Sequence, residues 1–461
     1  MTFPWEFLDT PTKDQGLRRQ AAICCNVVFC QVARGTTLSG KDSNETASGL
    51  RAVRLVGFLF LAQIGCLSGF AAFASTLVKL ASLWHLDSTR AGWISSAYFL
   101  GYTIGVPLLV ALTDRVDPRA IYLTGCATGV IAGTGLALFA NGFWSAFLFQ
   151  ALAGLAIGGT YMPGLRVLTG RLTGRIRIRA VPYYTTAFAV GISLSFLISG
   201  WVEARYGWRA TFLAGGLGSA FGAVLALLAT RGIAVQREVS AVPTRHPLDF
   251  RPVLHNRDAM AYVLAYGGHC WELFAFRAWL PTYLLFAWHR FNSADAGLAL
   301  SRWSMLIVLV GVPASIIGAE WANPETRNRW IRRFEFGAIA TCGLTVICAK
   351  VSFGLALIAL FAYNVAIAAD SGALTAGIVS VARADEQGAT LAIYTLVGFM
   401  GGAIGPLLVG SVLDRGGGFG SAYAWLLGFA AMGTGSALAT VAISRASGQS
   451  KALSTTAPDN N

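Results

Sequence analysis

Four ionisable residues stand where the surrounding sequence is almost wholly apolar: His269, Glu272, Arg277 and Asp370. Three of them share one run, which also holds Trp271, Trp279 and Pro281. At about 100° per helical residue, His269 and Arg277 lie about 80° apart, with Glu272 about 60° to the other side of His269. One broad face of such a helix presents a base, an acid and a cation at staggered depths. A charge at the centre of an apolar helix costs roughly 2.5–3.5 kcal/mol, so these groups face a polar cavity or a partner. Two readings follow. Either Glu272 and Arg277 line a central pathway, or each closes a salt bridge with a neighbouring helix. Asp370 can pair with Arg277, hold a solute group or carry a proton. Tyr98 and Tyr102, one turn apart, offer hydroxyls or simply pack. Tyr161, followed by Pro163 and Arg166, can line the facing wall, whereas Trp271 and Trp279 read as packing residues.

Other chemistries lack their residues. The histidines at 85, 246, 255, 269 and 289 are widely separated, and none of the eight cysteines forms a CxxC pair. No metal centre, cofactor, redox motif or nucleophile–base arrangement is therefore expected, and the chain does not read as an enzyme. Gly35, Gly40 and Lys41 have the spacing of a phosphate-binding loop. Asp42 follows where a Ser or Thr would hold magnesium, and no buried strand leads in, so nucleotide binding is not expected. A net charge of +13 raises nucleic acid as a partner. The basic residues are scattered between apolar segments, without a continuous patch and interleaved aromatics, which excludes it.

The elements that must position these residues are membrane helices. Only 12% of the 461 residues are charged and 55% are hydrophobic, against roughly 25% charged in soluble domains. A bilayer core of about 30 Å takes roughly 20 apolar residues per helix. Spans are predicted near 54–78, 91–112, 120–140, 144–167, 183–202 and 210–230, then near 260–287, 297–319, 335–351, 354–381, 388–411 and 421–443. Glycines number 53, and inside apolar runs they let helices approach closely. With both termini cytoplasmic, the inner segments hold 26 Lys and Arg and the outer loops 7, Arg277 and Arg302 being left out as intrahelical. The expected organisation is a cytoplasmic extension 1–52, a six-helix bundle 53–230, a cytoplasmic linker 231–258, a second bundle 259–443 and a disordered cytoplasmic tail 444–461. The apolar run 21–33 after Arg18 and Arg19 is broken by Asn26 and Gln31, so it reads as part of the extension and not as a cleaved leader.

The halves echo one another. Gly200, Arg205 and Gly207 repeat as Gly410, Arg415 and Gly417, each at an offset of 210 residues. Duplicated halves of this kind are a transporter architecture. At the inner end of the second span stand Asp114, Arg115, Asp117, Pro118 and Arg119. With six-plus-six helices, this loop resembles the G-x-x-x-D-R-x-G-R-R signature of the major facilitator superfamily, matching at Asp114, Arg115 and Arg119. Val110 and Asp117 replace its glycines, and Pro118 an arginine. Gly207, Trp208, Arg209 and Phe212 are similar to a stretch that often opens helix six in that family. Gly398, Gly401, Gly402, Gly405 and Pro406 resemble its glycine–proline packing motif. Gln150 stands where the helix-four arginine is expected.

The resemblance covers residues 53–443. It implies an all-α integral membrane protein with 12 transmembrane helices in two pseudo-symmetric six-helix bundles, a multi-pass protein of the bacterial inner membrane. It implies a conformational latch at Asp114, Arg115 and Arg119. The function expected is secondary transport of a small solute by alternating access, proton-coupled as symport or antiport, with Arg277 favouring an organic anion and Glu272 or Asp370 taking the proton. The alternative is a non-transporting receptor or scaffold on the same fold. The expected partners are thus a small-molecule substrate, the lipid bilayer and the proton.

Overall fold

The computed structural model describes residues 42–233, 251–293, 296, 298–383 and 386–446. The phosphate-loop-like glycines, most of the expected extension and linker, and nearly all of the expected tail lie outside them. Fourteen helices occupy the described residues: α1 (Asp42–Leu67), α2 (Ala72–Leu83), α3 (Ser88–Leu112), α4 (Pro118–Phe139), α5 (Phe143–Thr169), α6 (Gly174–Thr230), α7 (Arg251–His255), α8 (Arg257–His289), α9 (Ala299–Trp321), α10 (Arg327–Val351), α11 (Phe353–Ala369), α12 (Ser371–Val381), α13 (Gln387–Arg415) and α14 (Ala422–Ser444). No strand occurs among these residues. In hydrocarbon that is the required outcome, because a helix satisfies its own backbone polar groups.

Among the described residues, ten segments are long and apolar enough to cross a bilayer. One of them, α6, is 57 residues long and breaks at Gly207, whose φ of 81° and ψ of 175° leave the helical region. Only glycine adopts that backbone without strain. The predicted fifth and sixth spans are the two arms on either side of it. Arg205 and Arg209 at the break lie over the rings of Trp201 and Trp208. A further helix, α8, has spanning length with 33 residues, but its polar residues lower its apolarity. The expected twelve is reached among the described residues only when both arms of α6 are counted and α8 is added. Two spans are jointed: α1 and α2 meet through a turn at residues 68–71, and α11 and α12 meet at Asp370.

The span predicted at 335–351 begins earlier, at Arg327. Asn323 and Thr326 turn the chain into it, the Asn323 carboxamide oxygen accepting from the Thr326 amide at 3.1 Å and its hydroxyl at 2.7 Å. Arg329, Arg332 and Arg333 are exposed on this first part. Their charges hid it from an apolar-segment reading. Glu335 consequently lies two turns inside the helix, and it is buried.

Small residues set the helix spacing. A Cβ on Gly101 would overlap the Ala151 carbonyl, and one on Gly154 would overlap that of Tyr98, locking α3 against α5. Gly268 and Gly435 do the same for α8 against α14. Cys66 and Cys126 lie with their sulfurs 3.6 Å apart in the packed interior, behaving as small apolar residues.

Candidate functional site

Arg277 sits deep in α8 and is 9% exposed. Its guanidinium carbon lies 5.6 Å from the Phe274 ring centroid. Among the described residues it has no ion pair and no hydrogen bond, and Nε is buried without a partner. The guanidinium borders a cavity of about 30 Å³ walled by Phe70, Phe73, Tyr98, Phe99 and Gln150. That space holds a water or two. An organic solute needs the walls to part. Four of the walls are aromatic rings, and Gln150 is the residue standing at the expected arginine position.

The predicted tyrosines separate. Tyr98 reaches the Arg277 cavity and packs edge-on against Phe70 at 5.3 Å. Tyr102 lies against Phe399 of the other half, ring centroids 4.0 Å apart. Tyr161 stacks on Tyr184 at 6.0 Å and packs on Phe188, and it does not line the Arg277 cavity. The indoles of Trp271 and Trp279 donate to the Ala431 and Pro406 carbonyls at 3.1 and 3.0 Å, a packing arrangement.

The acids gather elsewhere. Asp370 does not reach Arg277; its Oδ1 lies 2.8 Å from Nδ1 of His269, both side chains 2% exposed. The contact is close but not aligned as a hydrogen bond, and no N–H or O–H donor among the described residues is aligned on either Asp370 oxygen. Glu272 is held by two hydroxyls: Tyr363 donates to Oε1 at 2.7 Å, and Ser436 donates to Oε2. Glu335 of α10 completes the group, its carboxyl against that of Asp370. Sequence reading missed Glu335 because Arg332 and Arg333 precede it, which made it look like part of a charged turn. Tyr266 lies parallel to His269 and stacks on Tyr394, with centroids 5.7 and 3.9 Å away.

At the α3–α4 loop, Asp114 pairs with Arg166 of α5, in its own half, and both are about half-exposed. Asp117 caps α4, accepting from the Arg119 amide at 2.9 Å. Arg115 is exposed and Arg119 partly buried, with Nε lacking a partner among the described residues. Burial lowers the pKa of nearby Arg171, which Asp117 opposes. Among the described residues, Asp114, Arg115, Asp117 and Arg119 make no hydrogen bond or ion pair to the other half in this conformation.

The opposite end is different. Asp414, at the end of α13, accepts from the amides of Ser88 and Thr89 at 2.8 and 2.7 Å and from the Thr89 hydroxyl at 2.5 Å. A carboxylate from one half thus caps the first turn of α3 in the other. A Cβ on Gly92 or Gly410 would strike Pro406 or Ser88 there. Farther in, the Phe99 and Phe274 rings meet at 4.5 Å. The halves are closed at the end that the basic-residue bias assigns to the outside.

A model of the Major Facilitator Superfamily matches residues 59–406. A gentisate transporter of Corynebacterium glutamicum is 24% identical over 446 residues, covering 89% of this chain and 93% of its own length. A gallate transporter of Pseudomonas putida is 22% identical, covering 72% of this chain and 79% of its own. A niacin transporter of Acinetobacter baylyi is 28% identical over 151 residues, and this match spans only 34% of that protein. Among solved structures, a bacterial homologue of the human lysosomal transporter Spinster, inward-facing and unoccupied, superposes with a TM-score of 0.70 at 14% identity, covering 86% of this chain and 96% of that one. The nucleoside transporter NupG gives 0.66 at 15% identity, covering 86% of this chain and 98% of its own.

Proposed function

Since the chain belongs to the Major Facilitator Superfamily, we propose that this membrane transporter moves a small organic anion, an aromatic carboxylate, by proton-coupled alternating access. One observation carries the reading: a buried guanidinium with no anionic partner among the described residues, facing a wall of aromatic rings. A guanidinium fork matches a carboxylate in a bidentate pair. Phe70, Tyr98 and Phe99 supply faces and edges for the ring of such a solute. Gentisate and gallate, named for two relatives, are hydroxylated benzoates, and their chemistry fits this combination.

In this reading the chain lies in a bacterial inner membrane with both termini cytoplasmic, and Asp414 closes the outer end. Asp114, Arg115 and Arg119 serve as the latch of the opposite conformation, in which the inner ends close instead. The proton is taken by Glu272 or Asp370 in the C-terminal half. In proteoliposomes, purified protein is expected to take up labelled gentisate or gallate. Arg277→Ala abolishes that uptake while the protein still expresses and inserts. Full uptake by Arg277→Ala removes this residue from the site.

A further inference from the structure

The buried acids are unevenly placed. Within the described residues 58–230, every Asp and Glu is at least partly exposed. In the other half, Glu272, Glu335 and Asp370 are 1%, 3% and 1% exposed; Asp370 lies against His269, and the other two are its electrostatic neighbours. We propose that Glu335 and Asp370, with His269 beside them, form the proton-binding site of the coupling cycle, apart from the Arg277 cavity. This rests on the proton-coupled reading above and assigns it to a carboxyl pair.

Glu272 differs from the pair in its partners. Both of its oxygens accept from hydroxyls, so it is built into the packing as an acceptor. Glu335 Oε1 and both Asp370 oxygens are buried without any donor among the described residues. Two carboxyl groups set against each other in a low dielectric attract only when a proton lies between them. Ionised together they repel, unrelieved by water. The groups facing the pair are His269, Cys270 and Glu272 from α8 and Tyr394 from α13, with Ser436 from α14. Arg277 is eight residues from His269, about 12 Å along the axis, too far to neutralise the pair by contact. No three described residues are arranged to hold a metal ion there. A proton fits. Imidazole Nδ1, 2.8 Å from Asp370, can pass it on.

The pair also sits at a joint. Asp370 is the one residue between α11 and α12. That position ties the pair to both segments of the span, and the backbone there stays helical, with φ −80° and ψ −21°.

The test uses gentisate as probe in proteoliposomes. Wild type is expected to accumulate it under an imposed proton gradient and to exchange labelled for unlabelled gentisate without one. Glu335→Gln and Asp370→Asn are expected to fall to the accumulation of empty liposomes while still exchanging. Arg277→Ala loses both. Gradient-driven accumulation retained by Glu335→Gln overturns the proposal. If the wild type does not move gentisate, the substrate reading fails, and infrared spectroscopy of purified protein in lipid discs decides on protons alone. A carboxyl band that titrates with pH in wild type and in the exposed-site control Glu325→Gln, but vanishes in Glu335→Gln and Asp370→Asn, supports the pair. A titrating band unchanged in both variants, or no titrating band in wild type, overturns it.

Discussion

A guanidinium held in a membrane interior without a carboxylate beside it is arranged for an incoming anion. Arg277 meets that description among the described residues. Removing one partner of a buried charge pair costs about 2–5 kcal/mol, so Arg277→Ala should weaken binding roughly 30-fold or more. Arg277→Lys keeps the charge but loses the fork, and its affinity should fall between the two. Equilibrium binding of gentisate to detergent-purified variants measures both, and equal affinity for all three proteins contradicts the assignment. His269, Glu272, Arg277 and Asp370 were legible in the sequence because a charge contrasts with apolar neighbours. Phe70 and Phe99 were not, since a cavity-lining ring in an apolar helix looks like any packing ring. Glu335 was masked by the arginines just before it. The His269–Asp370 pairing was equally invisible, because no spacing rule links two helices.

At the scale of elements, the contact that closes one end of the molecule is a single carboxylate on a helix start. Three donors of α3 point at Asp414, and the helix dipole adds to their attraction. Losing such a cap costs about 0.5–2 kcal/mol, which shifts a two-state equilibrium roughly 2- to 30-fold. Asp414→Ala should therefore populate the conformation open at that end. Labelling of a cysteine introduced at Ser95, from the outside of intact cells, should speed up accordingly; an unchanged rate contradicts the latch. A second prediction concerns packing. Gly101→Leu drives a side chain into the Ala151 backbone, and overpacking of this kind costs about 1–3 kcal/mol. A lower melting temperature in detergent is the expected readout, and an unchanged one contradicts the close approach of α3 and α5. Sequence periodicity located the spans because each must be apolar for some twenty residues. It placed an end poorly where charge intervened, as at Arg327.

For the whole molecule, the organising feature is a division of labour. One half contributes aromatic walls and Gln150, and the other carries Arg277 and every buried acid among the described residues. In the proposed cycle, substrate and proton act on the same half from different depths, which lets one bias the other through a shared helix, α8. In the proposed function, the protein harnesses a proton gradient to move an aromatic anion. Accumulation of labelled gentisate in proteoliposomes, with the gradient imposed and then collapsed by an uncoupler, tests it most directly. The account predicts uptake above equilibrium that drains when the uncoupler is added. Correctly folded protein that moves neither gentisate nor gallate, or that moves them indifferently to the gradient, would contradict it.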